Sequence, residues 1–183
     1  KILDSSVKEF NRFVIENNQD NEYFDLSHYN FRGNDFREIS FSKINFTGST
    51  FRDCRIDAGF INACLIEDVK FYDCSLIDIY WHLNEIRSVL FHDCDLSKSN
   101  FECINFSDVL FRKSDLNRVN FSDIYSVKRL TVEDCNLRDS MIDLELIGNK
   151  NIRIVSSLNQ KNKMFLTKVI GRSKSDSIPD RPR

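Results

Sequence analysis

The sequence predicts a solenoid, a chain wound into stacked coils of short repeated units, and three observations predict it. Stepping by five from Leu26 to Phe121 meets twenty positions, and every one holds a large apolar residue. With 41% hydrophobic residues, chance would give such a run with a probability on the order of 10⁻⁸. A period of five is neither helical nor strand-like, so no ordinary amphipathic element explains it. The second observation is a column two residues earlier, which holds Ile39, Ile44, Cys54, Cys64, Val69 and Cys74, with small Ser or Gly interspersed. Each unit therefore offers one large and one smaller inward side chain. The third is a recurrence: Phe51-Arg52-Asp53-Cys54 returns as Phe71-Tyr72-Asp73-Cys74 and as Phe91-His92-Asp93-Cys94. The interval is twenty residues, so one coil holds four units. Phe51, Phe71 and Phe91 should stack in one column at about 4.8 Å per step, each contributing about 2–3 kcal/mol gross on burial.

Between the two columns the chain often places Asp or Asn, as at Asp25, Asn45, Asp95 and Asp115. Asx side chains favour turns and bond their own backbone. Units such as Ser114-Asp115-Leu116-Asn117-Arg118 and Cys94-Asp95-Leu96-Ser97-Lys98 closely resemble the repeat of the pentapeptide-repeat family, Ala-(Asp/Asn)-Leu-x-x. The resemblance covers about residues 24–125 in strict register. It implies an all-β fold, a right-handed quadrilateral β-helix of about five to six coils.

The chain ends depart from the repeat. Residues 1–23 read as a lead-in with a capping helix over about 6–17, where Ser6 and Glu9 fit a capping box and Val7, Phe10 and Val14 have helical spacing. Solenoids need their open ends covered. The β-helix is assigned to 24–155. After Phe121 the phase slips: Val132, Leu137, Ile142, Ile147 and Ile152 step by five, with one extra residue absorbed near Tyr125–Arg129. Residues 156–183 carry seven basic side chains and two Asp, and read as an irregular cap or homodimer element with a disordered tail.

Two surfaces are candidate partner sites. Phe60, Ile77, Tyr80 and Leu83 fall at outward positions, with Phe60 and Tyr80 one coil apart and Ile77 across a corner. They form an exposed apolar patch of the kind that marks a partner surface, unless the chain leaves the template between about 76 and 90 and buries them. Asp53, Asp73 and Asp93 form an outward acidic ladder. One reading is a row imitating DNA phosphates, because some members of the resembled family protect bacterial type II topoisomerases with an acidic, duplex-shaped surface. The other is that these side chains bond turn amides or pair with Arg52, Arg55 or Lys113. The repeat body, 24–125, has sixteen acidic and eleven basic residues, which is only mildly acidic for a mimic.

Chemistry has little footing. The six cysteines show no CxxC spacing, so no zinc site is expected from local motif. Cys54, Cys74 and Cys94 should lie in line as reduced core thiols, and Cys103 alone should face outward as a reactive thiol. His28, His82 and His92 project outward on different faces, and no nucleophile motif or phosphate-cradling Gly-rich loop accompanies them. No cofactor, metal or catalytic residue is expected, and no enzyme. The net charge of −2 points to no direct nucleic-acid binding, and no apolar run spans a membrane. The expectation is a cytoplasmic module that binds a protein partner. The alternative is a topoisomerase-binding (gyrase) DNA mimic. The chain begins at Lys1 without Met, which reads as a trimmed chain or a fragment, for instance of a secreted effector.

Overall fold

The computed structural model describes Arg12, Glu16 and residues 22–142 and 149–155. The chain is a parallel β-solenoid with four sides. Its large-residue columns run along the axis. The first side is centred on Leu26, Phe46, Ile66, Ile86 and Phe106, and the second on Phe31, Phe51, Phe71, Phe91 and Phe111. The third is centred on Phe36, Ile56, Leu76, Leu96 and Leu116, and the fourth on Phe41, Ile61, Trp81, Phe101 and Phe121. All of these side chains are buried. The second side is one seven-stranded parallel sheet, running from Asn30–Arg32 to Ile152–Val155. The first and fourth sides merge into a ten-stranded sheet, because Asn100–Ser107 and Asn120–Val127 each turn the corner between them. The third side is held only by single bridges, Asp35 to Arg55 to Ser75 to Asp95 to Asp115 to Asn136.

The five-residue unit has a backbone cause. Two residues after each centre the chain enters the left-handed region, at nineteen non-glycine residues among those described. Asp and Asn tolerate this conformation best after glycine, and eight of the nineteen are Asp. The left-handed residue turns the corner, and the next residue points inward as the smaller column. The Asx expectation holds: Ser27 N donates to Asp25 Oδ1 at 3.0 Å, Thr47 N to Asn45 Oδ1 at 3.0 Å, and Asn117 N to Asp115 Oδ1 at 2.8 Å. Main-chain bonds then tie each coil to the next, as from Leu26 N to Asn45 O at 2.9 Å and from Ile56 N to Ser75 O at 2.8 Å.

Where the smaller column is polar, its side chain also stitches coils. Ser49 Oγ donates to Leu26 O at 2.7 Å and accepts from Tyr29 N at 3.0 Å. Ser99 repeats this with Leu76 O and Ile79 N. Asn84, fully buried, donates to Ile61 O at 2.8 Å and accepts from Cys64 N at 2.9 Å. The sequence reading, which expected only Ser or Gly among the polar and small occupants, passed over Asn84.

Residues 76–90 stay in the coil: Tyr80–His82 and Glu85–Arg87 are strands in register with the coils on either side. The phase slip is also located. Ile104 pairs with Ile124, but Asn105 pairs with Ser126, so Tyr125 is the extra residue, and it is exposed. The step of five does not survive to Ile152. Val132 pairs with Ile154 and Leu130 with Ile152, so two further residues are taken up between Ile142 and Ile152, and Ile154 is left exposed. Ile147 and the C-terminal segment 156–183 lie outside the described residues. So does most of the expected N-terminal helix, although Arg12 and Glu16 are helical. Among the described residues no helix is long and apolar enough to cross a membrane.

The Phe column forms as the recurrence required. Ring centroids lie 4.8 Å apart for Phe51 and Phe71 and 4.9 Å for Phe71 and Phe91, with planes 13° and 3° apart. Rigid coils on both sides prevent collapse around a deleted ring. Phe71→Ala is therefore expected to cost about 3–5 kcal/mol, and a denaturant titration showing less than about 1 kcal/mol would contradict the ladder as the source of stability.

Candidate interaction surface

The outer face of the fourth side carries the candidate apolar patch. Strands Ser40–Ser42, Phe60–Asn62, Tyr80–His82 and Asn100–Ser107 lie in register there. This register stacks the Phe60 and Tyr80 rings at 5.2 Å with planes 7° apart. Phe60 is 36% exposed and Leu83 52% exposed. Leu83 occupies the corner between the fourth and first sides, with φ of 52°. A branched apolar side chain in the left-handed region costs roughly 1–2 kcal/mol and here gains no burial in return. Ile77 is half-buried and belongs to the third side, around the corner from Tyr80. The structure thus gathers Phe60, Tyr80 and Leu83 on one side and places Ile77 at its margin.

The same side collects polar groups that the fold leaves unsatisfied. Among the described residues, four buried side-chain atoms lack a hydrogen-bond partner: Asn62 Oδ1, Trp81 Nε1, His82 Nδ1 and Asn100 Oδ1. All four sit on the strands just named. Buried polar groups are nearly always paired, and leaving one unpaired costs about 1–3 kcal/mol. Trp81 is inward and fully buried, so its indole is part of the core. Asn62, His82 and Asn100 are half-buried and face outward beside the Phe60–Tyr80 stack.

The acidic ladder lies at the diagonally opposite corner, between the second and third sides. Asp53, Asp73 and Asp93 are exposed and all left-handed, with φ of 54°, 53° and 52°. Their amides bond the next coil, Asp53 N to Tyr72 O and Asp73 N to His92 O, both at 3.1 Å. Of the expected partners, Arg52 and Arg55 are engaged elsewhere. Arg52 stacks over the Tyr72 ring at 4.0 Å, and Arg55 pairs with Asp57 at 3.4 Å. Arg32 approaches Asp53 at 3.8 Å instead, and His92 Nδ1 lies 2.6 Å from Asp93. Gly33 and Lys113 hold the same corner on either side, with Asp134 following one coil beyond Lys113, so the uninterrupted ladder is three carboxylates long.

The cysteines behave as a core column. Cys54, Cys74 and Cys94 are buried and in line, and their thiols donate to the carbonyls of Arg52, Tyr72 and His92 at 3.2–3.4 Å. Burial pushes the Cys64 thiol up to about 12 and the Cys135 thiol up to about 11, so both stay protonated and inert near neutral pH. All six cysteines are free, and Cys103 alone is not buried; it is half-exposed at a left-handed corner, with φ of 56°. His28 lies over the left-handed Gly48, its ring filling the space that a Cβ there would take. His82 faces out on the fourth side and His92 on the second, so the three histidines do not converge.

A four-sided parallel β-helix of five-residue units defines a class of protein, and sequence comparison agrees. A pentapeptide-repeat-region profile matches residues 24–101 and a pentapeptide-repeat profile of eight copies matches 90–124, together more than half of the chain. The chain belongs to the pentapeptide-repeat family. Among solved structures it is similar to a pentapeptide-repeat protein from the Arabidopsis thaliana thylakoid lumen. The TM-score is 0.50 at 15% identity, covering 54% of this chain and 68% of that one. It is also similar to QnrB1, a plasmid-mediated fluoroquinolone resistance protein. There the TM-score is 0.41 at 13% identity, with 73% and 90% of the two chains covered. At these identities the likeness shows the fold alone. A search of curated proteins found no match.

Two substitutions separate structural from surface roles. Leu83→Gly relieves a left-handed leucine, partly offset by unfolded-chain entropy, and is expected to leave stability unchanged or raise it by up to about 1 kcal/mol. Asp73→Asn keeps a residue suited to the corner and removes like-charge repulsion, so thermal melts should place it within about 0.5 kcal/mol of the parent. A loss above about 1.5 kcal/mol would make the Asp73 carboxylate a structural group.

Proposed function

We propose that the chain is a non-enzymatic binding module that docks a protein partner through the outer face of its fourth side. Phe60 and Tyr80 are the anchors, with Leu83 and Ile77 flanking them. The observation that carries this reading is the parallel Phe60–Tyr80 stack, 5.2 Å between centroids, held on a flat strand surface. A rigid aromatic pair loses little entropy on binding, and aromatic anchors dominate most interfaces. The left-handed Leu83 has no structural reason to be leucine, and local strain of this kind concentrates at functional positions.

A second reading, a DNA-mimicking protein that binds a type II topoisomerase such as gyrase, draws support from the exposed line of Asp53, Asp73 and Asp93. The row is short, and Arg32 and His92 lie against two of its three carboxylates. We therefore favour the apolar face. Homodimerisation through residues 156–183 remains a proposal, since that segment lies outside the described residues.

The two surfaces occupy opposite corners, so one experiment distinguishes them. Pull-downs from the native host identify the partner, with gyrase tested by name. Against that partner, Phe60→Ser with Tyr80→Ser is expected to lose about 2 kcal/mol or more, roughly thirtyfold in Kd, with circular dichroism unchanged. Charge reversal by Asp53→Lys, Asp73→Lys and Asp93→Lys is expected to change Kd by less than about threefold. Loss of binding only on charge reversal, with steep salt dependence in the parent, would replace the apolar reading with the mimic.

A further inference from the structure

We propose that His82, Glu102 and Cys103 form a zinc site at the corner between the fourth and first sides. The coil brings together residues that are twenty positions apart in the chain. His82 and Glu102 pair in register on adjacent coils, and Cys103 follows Glu102 at the left-handed turn. One ligating atom from each of the three residues lies within 4.8 Å of the other two. Cysteine spacing alone could not show this, because the site uses one thiol and gathers its other donors through the coil repeat.

Three further observations point to a cation. His82 Nδ1 is buried without a hydrogen-bond partner, a condition that metal coordination relieves. Tyr80 lies against the imidazole at 5.8 Å between ring centroids, and so helps to fix its orientation. Cys103 also lies outside the hydrophobic core. The other five cysteines are buried, whereas Cys103 sits at a left-handed corner that Lys43, Ala63 and Leu83 hold on the preceding coils. On the next coil Asp123 is in register with Glu102, which adds negative potential along the same row.

The donor set selects the ion. One imidazole nitrogen, one thiolate and one carboxylate oxygen suit zinc, and the thiolate argues against magnesium or calcium. Zinc bonds of about 2.0–2.3 Å place tetrahedral ligands about 3.5 Å apart, so the site closes by up to about 1.3 Å on binding. Glu102 has three side-chain torsions with which to do so. The three protein ligands leave the fourth position to water, and Cys103 releases its thiol proton to solvent on binding. The ion then clamps two successive coils beside Leu83. This inference stands apart from the partner proposal, because zinc binding is measured without a partner.

The test uses the full chain, reduced and stripped with chelator, and titrated with Zn²⁺ by calorimetry and with Co²⁺ by absorption. The expected result is one ion per chain, with a tetrahedral Co²⁺ spectrum and a thiolate-to-metal charge-transfer band. Cys103→Ser should abolish that band. His82→Gln and Glu102→Gln should each weaken binding by at least about tenfold, with circular dichroism preserved. A readout independent of the variants is thiol labelling of the parent, where zinc should slow modification of Cys103 by at least about tenfold. Binding no tighter than millimolar, a charge-transfer band that survives Cys103→Ser, or labelling of Cys103 unaffected by zinc would each overturn the site.

Discussion

Main-chain hydrogen bonds tie each coil to the next, from Leu26 N to Asn45 O, Ile56 N to Ser75 O and Leu96 N to Asp115 O, and this ladder decides what lies above what. Its register is twenty residues over most of the chain, so every side chain sits between its counterparts one coil below and one coil above. Like then stacks on like. Phenylalanines form a ring column, cysteines a thiol column, Asx residues a capped turn row, and aspartates a charged edge. Packing, capping and electrostatics all inherit that register. A single inserted residue is felt along the axis, as at Tyr125, which sets the offset to the next coil at twenty-one.

The ladder explains which features were legible from sequence. The columns were plain because burial on one side of a five-residue unit leaves an apolar mark at each step, from Leu26 to Phe121. The coil length was plain because Phe-x-Asp-Cys recurs. Asn84 was missed because its inward position is signalled by spacing and not by residue type; its amide replaces hydrophobic contact with two backbone bonds. The second slip, between Ile142 and Ile152, was missed because Ile152 and Ile154 are both apolar and either fits a step of about five. Of the Asp ladder's contacts, His92 beside Asp93 is a sequence neighbour, whereas Arg32 lies one coil beneath Asp53 and carries no mark in the local sequence.

The corners set the terms on which surfaces can carry function. A left-handed turn follows nearly every centre, and Asp, Ser, Lys and Ala fill most of these positions. The acidic ladder therefore has an origin in backbone geometry: Asp is among the side chains best suited to the turn. Its exposure needs no partner to explain it. Leu83 is the reverse case, since the corner disfavours it and the core gains nothing from it.

Tyr80-Trp81-His82-Leu83-Asn84 is where local rules fail together. In five consecutive residues the chain exposes an aromatic stack, buries an indole N–H without a partner, leaves an imidazole nitrogen unpaired, strains a leucine, and places a polar amide in the core. Asn84 is fully compensated by its two backbone bonds, and Trp81 gains ring contact with Phe101 at 5.3 Å. The three outward residues are not compensated within the fold. Sequences are locally consistent except where function requires otherwise, and uncompensated departures at Tyr80, His82 and Leu83 all open onto the same side. Elsewhere the repeat is broken at the exposed Tyr125 and Ile154, each at a register slip. The proposed function places recognition where several such departures gather on one side and face solvent.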